Sequence, residues 1–383
     1  MKSLLLAILS CCCLTLHAEE ATDILQLVLA QNKTLLAATD HMALAKQQVL
    51  AENALDDPEI GFDYLWGKPG FIGHRKDVSI NQRFDLATLF GYRRRLVHSQ
   101  QELIELEMYQ QYMTKRLEAT DLMAELTYYN QVIQLYDEHL TQQRQLVTSY
   151  ERRLQSGDAS KLDVNRIRLA VAEVEAEAER CHTERDLLLM QLQSLCGASS
   201  VTYTSTDYKQ LTSLPAVTSL QAIQAEHSQK QQQIAEAGVK AARAEALPSL
   251  TVGYMAELTH DEKWRGVTLG VSIPLWSGSR NVRLARLQQQ SARSEAEEAA
   301  NQLEQQTQAQ RLRTERYQAI AQRIHQQLAN ASQSTLLQRA LHEGEISLTD
   351  YLIECSDLFQ LRLKALEAER DYQQALLCYE AIR

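Results

Sequence analysis

The chain repeats itself, and the repeat limits the folds that it can adopt. Four landmarks of the first half recur in the second half at a nearly constant offset of 190 or 187 positions. These pairs are Pro58 and Pro248, Tyr64 and Tyr254, Gly157 and Gly344, and Asp163 and Asp350. A constant offset across separate landmarks implies an internal duplication. We therefore expect each half to fold as a helix, two strands, a very long helix, a tight turn and a further helix.

Hydrophobic periodicity and turn residues predict where these elements lie. In the first half they predict a helix over 22–54, strands over 59–67 and 77–85, and helices over 92–155 and up to Cys196. In the second half they predict a helix over 219–246, strands over 249–258 and 266–274, a helix over 281–341 and a final helix. The Ser/Thr-rich residues 199–218 are predicted to link a first repeat, 19–198, to a second, 219–383. We expect the two repeats to form one structural unit.

Two features support very long helices. Among its 383 residues the chain has only 13 glycines and 5 prolines, so it has few turn residues. The second half of the first long helix also carries apolar residues that step by three and four, which is typical of a coiled coil.

The N-terminus, MKSLLLAILSCCCLTLHAEE, resembles a secretory signal peptide. Cleavage after Ala18 would remove residues 1–18. Alternatively, ILSC is a loose lipoprotein box, and Cys11 is the lipidated residue. The apolar run is too short to span a membrane as a helix. In either case we expect the chain to leave the cytoplasm.

The four predicted strands alternate between an apolar face and a face of small or polar residues. The apolar face contains Ile60, Phe62, Tyr64, Trp66, Val78, Ile80, Phe84, Val252, Tyr254, Val267, Leu269, Val271 and Ile273. A soluble antiparallel sheet that is packed on one side shows the same alternation. The strand length of about nine residues and the near absence of charge on the apolar face instead favour a face in contact with lipid.

A sheet in a membrane must close into a barrel, because unpaired strand edges are too costly in lipid. The smallest membrane barrels have about eight strands, and this chain supplies four. If these strands span a membrane, the protein is therefore at least a dimer. The segment IPLWSGSRNVRL fits this prediction, since Pro274 ends strand pairing and Gly278 allows the chain to turn sharply into a helix in water.

Several functional classes are disfavoured. The net charge of −10 argues against a nucleic-acid partner. The cysteines beyond the signal show no CxxC spacing, and no histidine lies in an HExxH motif, so we predict no metal site. We find no nucleophile elbow, phosphate loop or dinucleotide fingerprint. We therefore predict no catalytic residues and no cofactor.

Three features together resemble the TolC-type outer-membrane efflux family: the duplication, the join from Pro274 to Gly278, and the turn motifs GDASKLDV and GEISLTDY. The resemblance extends from about Ala21 to the C-terminus. It implies a mainly α fold with a small β part. The long-helix hairpins would form an α-helical tunnel in the periplasm, and four strands per chain would contribute to a shared transmembrane β-barrel. It also implies a homotrimer with a twelve-stranded barrel in outer-membrane lipid. The first join, NQRFDLATLFGYRRRL, is reminiscent of the cobalt-zinc-cadmium type, although it lacks the proline of the second join.

The resemblance also implies two sites at the helix tips. The tips would dock a periplasmic adaptor protein, which connects the channel to an inner-membrane pump of the RND type. The docking residues would be Gly157, Asp158, Ser160 and Asp163 at one tip and Gly344, Glu345, Ser347 and Asp350 at the other. Asp350 and Glu354 would form acidic rings that narrow the periplasmic gate and favour cations. Alternatively, Asp350 N-caps the last helix, and the two roles are compatible.

The function implied by the resemblance is a passive efflux duct from the periplasm to the exterior. One alternative is a secreted coiled-coil scaffold with a small soluble sheet, which would be extracted without detergent. Another is the outer duct of a protein or peptide secretion system. The sequence does not choose between metal cations, drugs and peptides as the exported substrate.

Overall fold

A computed structural model describes residues 21–67, 73–212, 219–330 and 334–382. The predicted signal peptide and Cys11 lie outside the described residues. The chain is mainly helical and carries one four-stranded antiparallel sheet, which confirms the predicted fold class.

The order of elements follows the duplication. The first half contains α1 (Ala21–Gln31), α2 (Lys33–Glu52), β1 (Glu59–Leu65), β2 (Arg75–Phe84), α3 (Leu86–Leu89), α4 (Tyr92–Ser156) and α5 (Lys161–Cys196). After the short helix α6 (Lys209–Thr212), the second half contains α7 (Leu220–Glu245), β3 (Ser249–Leu258), β4 (Lys263–Ser272), α8 (Ser277–Asn330), α9 (Ser334–Glu343) and α10 (Leu348–Ile382).

Two long helices differ from their predicted extents. The helix predicted over 22–54 is divided at Asn32, whose buried side chain donates to the Leu195 carbonyl at 2.7 Å and accepts from the Leu35 amide at 3.0 Å. Asn32 therefore caps α2 and also bonds the junction of α1 and α2 to α5. The prediction of a single helix over 22–54 was wrong. The helix predicted over 281–341 corresponds to α8 and α9, and residues 331–333 between them lie outside the described residues.

The chain divides into two compact units, and each draws on both halves of the sequence. We call the first the helical unit, which comprises Gln111–Gln221, Glu304–Arg383 and the described part of Met1–Ala37. We call the second the sheet unit, which comprises Ala38–Gln110 and Ala222–Leu303. Because the duplicated halves contribute to both units, neither half is a domain by itself.

The helical unit has two buried clusters. One lies around Met123 and Leu126 of α4 and includes Tyr203, which is fully buried with its hydroxyl 3.1 Å from Thr127 Oγ1. The segment predicted as a linker therefore contributes core side chains, since Val201 and Leu211 belong to the same cluster. The other cluster runs along the helix hairpins and contains Tyr136, Tyr150, Val164, Ile167, Leu348 and Phe359.

The sheet unit is built around four strands in the order β1-β2-β3-β4. Each neighbouring pair is antiparallel, and β2 pairs with β3 although they belong to different halves of the sequence. Ile80 of β2 lies opposite Ile60 of β1 on one side and Tyr254 of β3 on the other, and Tyr254 lies opposite Val267 of β4. This register places the predicted apolar residues of all four strands on one face.

Candidate functional site

Both helix hairpins of the helical unit turn at a glycine. Gly157 has a φ of +86° and Gly344 a φ of +76°, the left-handed region that favours glycine. At the first turn the Asp158 amide donates to the Arg153 carbonyl at 2.7 Å, and the Glu345 amide closes the second turn in the same way at 2.9 Å. These bonds satisfy carbonyls at the end of the preceding helix, as in a Schellman motif. The two turns thus share one geometry.

The helix that follows each turn begins with the same serine and aspartate arrangement. Ser160 Oγ accepts from the Asp163 amide at 3.1 Å, and the Asp163 carboxylate accepts from the Ser160 amide at 3.0 Å, which completes a capping box. The hydrogen bond from the Ser160 hydroxyl is the main cause of the lowered pKa of Asp163. At the second tip the Asp350 amide donates to Ser347 Oγ at 3.2 Å, and the Ser347 hydroxyl donates to Asp350 Oδ2 at 2.6 Å.

The alternative in which Asp350 N-caps the last helix is therefore wrong, because Ser347 is the capping residue and accepts from the Asp350 amide. Ser347 directly precedes α10, and Asp350 is the third residue of that helix. Its carboxylate stays exposed while one oxygen accepts from Ser347. An exposed carboxylate in this position can stabilise the helix start and also face a passage, so these two roles are compatible.

The two tips contact each other within the chain. Arg166 Nη1 of α5 donates to Thr349 Oγ1 of α10 at 2.8 Å. These two residues border an open groove of about 380 Å³, whose other lining residues are Leu352, Ile353, Ser356 and Asp357. This contact has no signal in the sequence, because Arg166 and Thr349 belong to different halves and are 183 residues apart.

The start of α10 exposes three carboxylates along one side. Asp350, Glu354 and Asp357 are all exposed, and their spacing of four and three residues places them on one face of the helix. Within the described part of the chain, no ion pair neutralises any of the three. Asp357 was not among the predicted gate residues, although its spacing of three residues from Glu354 places it on the same face of α10.

The sheet unit exposes most of its apolar face. The side chains of Ile60, Phe62, Trp66, Val267, Leu269, Val271 and Ile273 are between 61% and 81% exposed. Val78, Ile80 and Tyr254 are also exposed, whereas Tyr64, Phe84 and Val252 are partly covered. Trp66 and Ile273 lie one residue beyond the ends of β1 and β4. The sheet therefore brings all thirteen predicted lipid-facing residues onto one surface or its margins.

The opposite face of the sheet is mainly polar and is closely packed across the strands, although the exposed Leu65, Met255 and Trp264 also lie on it. Thr268 Oγ1 lies 3.3 Å from Asn81 Oδ1, and Gly253 lies between them. A Cβ at Gly253 would lie 2.0 Å from Asn81 Oδ1, so only glycine fits. Further along the same face, Arg75 pairs with Asp77 at 2.8 Å and with Glu257 at 3.0 Å.

Among the described residues, no group of three or more His, Cys, Asp or Glu side chains is placed to hold a metal ion. None of the described helices combines the length and the apolar character that crossing a membrane requires.

The fold of this chain is similar to that of solved outer-membrane efflux channels of the TolC type, in agreement with the fold that the sequence resemblance implied. The chain is similar to the structure of CusC, with a TM-score of 0.78, 16% identity, and coverage of 96% of this chain and 92% of that chain. It is also similar to the open state of the MtrE outer membrane channel of Neisseria gonorrhoeae, with a TM-score of 0.76, 14% identity, and coverage of 95% and 88%. For the outer membrane protein VceC of Vibrio cholerae the TM-score is 0.74, the identity 14% and both coverages 94%.

Comparison by sequence, unlike comparison by structure, identifies no match. No protein-family model and no curated protein matches the chain. The low identities to the solved structures mean that the similarity shows the fold alone. The resemblance to the cobalt-zinc-cadmium type therefore stays a prediction.

Proposed function

We propose that the protein is the outer-membrane channel of a tripartite efflux system, a passive duct from the periplasm to the exterior. The observation that carries this proposal is the exposed apolar face of the sheet. Leu269 is 74% exposed, Val267 73% and Val271 67%, on a face whose other side is polar. A contiguous apolar surface of this kind is unfavourable in water and favourable against lipid.

The sheet also supports assembly with other copies of the chain. Among the described strands, β1 and β4 are at the edges of the sheet and each has one unpaired side. Lipid offers no hydrogen bonds to such an edge, so it has to pair with another strand. We propose that β4 of one chain pairs with β1 of the next, and that three chains close a twelve-stranded barrel. The polar face, with Asn81, Thr268 and Arg75, would then line a water-filled interior.

The helical unit supports the tunnel and its entrance. The tips at Gly157 and Gly344 are the proposed docking points for a periplasmic adaptor, which would connect the channel to an inner-membrane pump of the RND type. In this proposal the exposed carboxylates of Asp350 and Glu354 narrow the entrance and favour cations, because rings of like charge select ions electrostatically. Opening requires the second tip to move away from the first, which breaks the hydrogen bond between Arg166 and Thr349.

The duct itself would do no chemistry and consume no energy. The pump supplies the energy, and the pump and adaptor set the class of substrate. A duct for protein or peptide secretion would use the same surfaces. The transporter that binds the tips would distinguish a secretion duct from an efflux duct.

The first experiment measures the protein mass of the detergent-extracted particle by light scattering, with the bound detergent subtracted. Three chains per particle are expected, and each full chain has a mass of 43.5 kDa before the predicted signal peptide is removed. Discrete conductance steps in a planar lipid bilayer would then establish a channel. A protein that stays soluble as a monomer or dimer without detergent contradicts the proposal and supports the coiled-coil scaffold.

A further inference from the structure

Three cations interrupt the apolar face of the sheet near one end. We call this the hairpin end, because β1 connects to β2 and β3 to β4 there. Lys76 lies opposite Leu258, which in turn lies opposite Lys263, and Arg265 lies opposite Ala256. By strand alternation these cations share the face of Val78 and Val267. We call Lys76, Lys263 and Arg265 the basic belt.

The cations of the basic belt are not neutralised by the protein. All three are exposed, and no ion pair joins any of them to a carboxylate within the described part of the chain. On the opposite face at the same end, by contrast, Arg75 is paired with both Asp77 and Glu257. The sheet thus keeps its carboxylates on the polar face and leaves free positive charge on the apolar face.

The position of the basic belt matches the depth of lipid headgroups. Tyr64 lies directly opposite Lys76, whose Nζ is 5.8 Å from the centre of the Tyr64 ring, and Trp66 contacts Tyr64 edge-on at 5.4 Å. Tyrosine and tryptophan concentrate where a membrane meets water. Lys76 is two residues beyond Val78, or about 7 Å along the strand. A charge is costly at the centre of the bilayer but costs little at this level.

We propose that the basic belt binds the phosphate groups of anionic lipids in the leaflet that surrounds the hairpin end. This inference rests on the proposed function, since it requires the apolar face to lie in a membrane. Lysine and arginine form charge-assisted hydrogen bonds with phosphate. Strands β2 and β4 are two strand spacings apart, or about 10 Å. One headgroup with two phosphates can therefore contact Lys76 and Lys263 together, with Arg265 beside them.

The test counts lipids that stay bound to the detergent-extracted protein, by native mass spectrometry. The probes are diphosphoryl lipid A, monophosphoryl lipid A and neutral phosphatidylcholine. We expect wild-type protein to bind the diphosphoryl form most tightly and phosphatidylcholine most weakly. The triple variant Lys76→Gln, Lys263→Gln and Arg265→Gln should bind the diphosphoryl form about a hundredfold more weakly, because each of the three cations near an anionic surface contributes about fivefold.

A matched control removes the same charge elsewhere. Lys33→Gln, Lys161→Gln and Arg323→Gln also remove two lysines and one arginine, all exposed and all in the helical unit. This control should bind diphosphoryl lipid A as the wild type does. If the belt variant does not form the wild-type particle, the single substitution Arg265→Gln replaces it, with an expected loss of about fivefold.

Other outcomes would overturn the inference. Equal weakening in both triple variants would mean that net charge alone attracts the lipid. Equal binding of phosphatidylcholine and diphosphoryl lipid A by the wild type would mean that the net negative charge of the headgroup is not recognised. Inorganic pyrophosphate that competes as strongly as the lipid would identify a soluble anion as the ligand. A protein that binds no lipid and inserts into no bilayer would instead contradict the proposed function, which separates the two failures.

Discussion

Arg166 and Thr349 are hydrogen-bonded at 2.8 Å from Nη1 to Oγ1, and this bond joins the tips of the two helix hairpins. Since opening of the duct would break it, we predict that Arg166→Ala raises the open fraction of single channels in a planar bilayer. An exposed hydrogen bond contributes about 1 kcal/mol, so the expected change is about fivefold.

Arg168→Ala is the matched control for that prediction. Arg168 pairs with Glu151 of α4, inside its own hairpin. Its loss should leave the open fraction unchanged. An equal increase in both variants would show that positive charge on α5, rather than the bond between the tips, holds the channel closed.

The two tip aspartates allow the gate to be separated from the helix start. Asp350 and Asp163 each accept a hydrogen bond from a serine three residues earlier. Asp350→Asn and Asp163→Asn should therefore each destabilise the protein by about 1 kcal/mol or less in thermal unfolding. Only Asp350→Asn should lower the preference for cations, which is measured as a reversal potential in a KCl gradient. Unchanged selectivity in Asp350→Asn would remove Asp350 from the proposed gate.

A partly buried histidine predicts a pH dependence of stability. His139 of α4 stacks on Phe359 of α10, with ring centres 4.2 Å apart. Burial lowers the pKa of His139 below its ordinary value of 6.5, and the nearby Arg362 lowers it further. Below pH 6.5 the unfolded chain therefore binds a proton that the folded chain does not. The free energy of unfolding should fall in that range by up to about 1.4 kcal/mol per pH unit, until the lowered pKa is passed.

His139→Phe keeps an aromatic ring on Phe359 and removes the titrating group. Thermal unfolding followed by circular dichroism should show a smaller loss of stability between about pH 7 and pH 5 in this variant than in the wild type. His41→Gln, at an exposed position of α2, is the control and should retain the wild-type slope. Identical slopes in all three proteins would assign the pH dependence to other groups.

The two faces of the sheet can be compared at neighbouring residues. Val267 is 73% exposed on the apolar face. Gly266 faces the other way, and a Cβ there would meet nothing within 4 Å. Val267→Lys should reduce insertion into liposomes, because a lysine on the lipid side becomes more costly with depth below the headgroups. Gly266→Lys should still insert and should change the conductance. Equal insertion of both variants would contradict a lipid-facing sheet.

The sequence predicted the regular elements well because their signals are local. The first long helix was predicted over 92–155 and is observed as Tyr92–Ser156, and β3 has the predicted bounds. Absence of proline and glycine indicates an uninterrupted helix, and period-two alternation indicates a strand face. Strands β2 and β4 begin two and three residues earlier than predicted, at Arg75 and Lys263, where charged residues interrupt the apolar pattern.

The sequence did not predict features that depend on distant partners. Asn32 divides the first predicted helix because it bonds to Leu195, which lies 163 residues away. Tyr203 lies in a stretch whose composition is typical of a linker, yet it is fully buried against α4. The bond between Arg166 and Thr349 also joins the two halves of the chain. A local pattern carries no information about such contacts, so only the assembled structure reveals them.

The pairing of β2 with β3 also determines when the sheet can form during synthesis of the chain. β2 ends at Phe84, but its partner strand is not complete until Leu258 has been synthesised. A two-stranded hairpin is at best marginally stable alone, and pairings between distant segments form slowly. Until β3 has been made, the hairpin of β1 and β2 has an unpaired edge and an exposed apolar face. Aggregation is most favourable in this state. The unfinished chain would therefore need a chaperone until its second half has been synthesised.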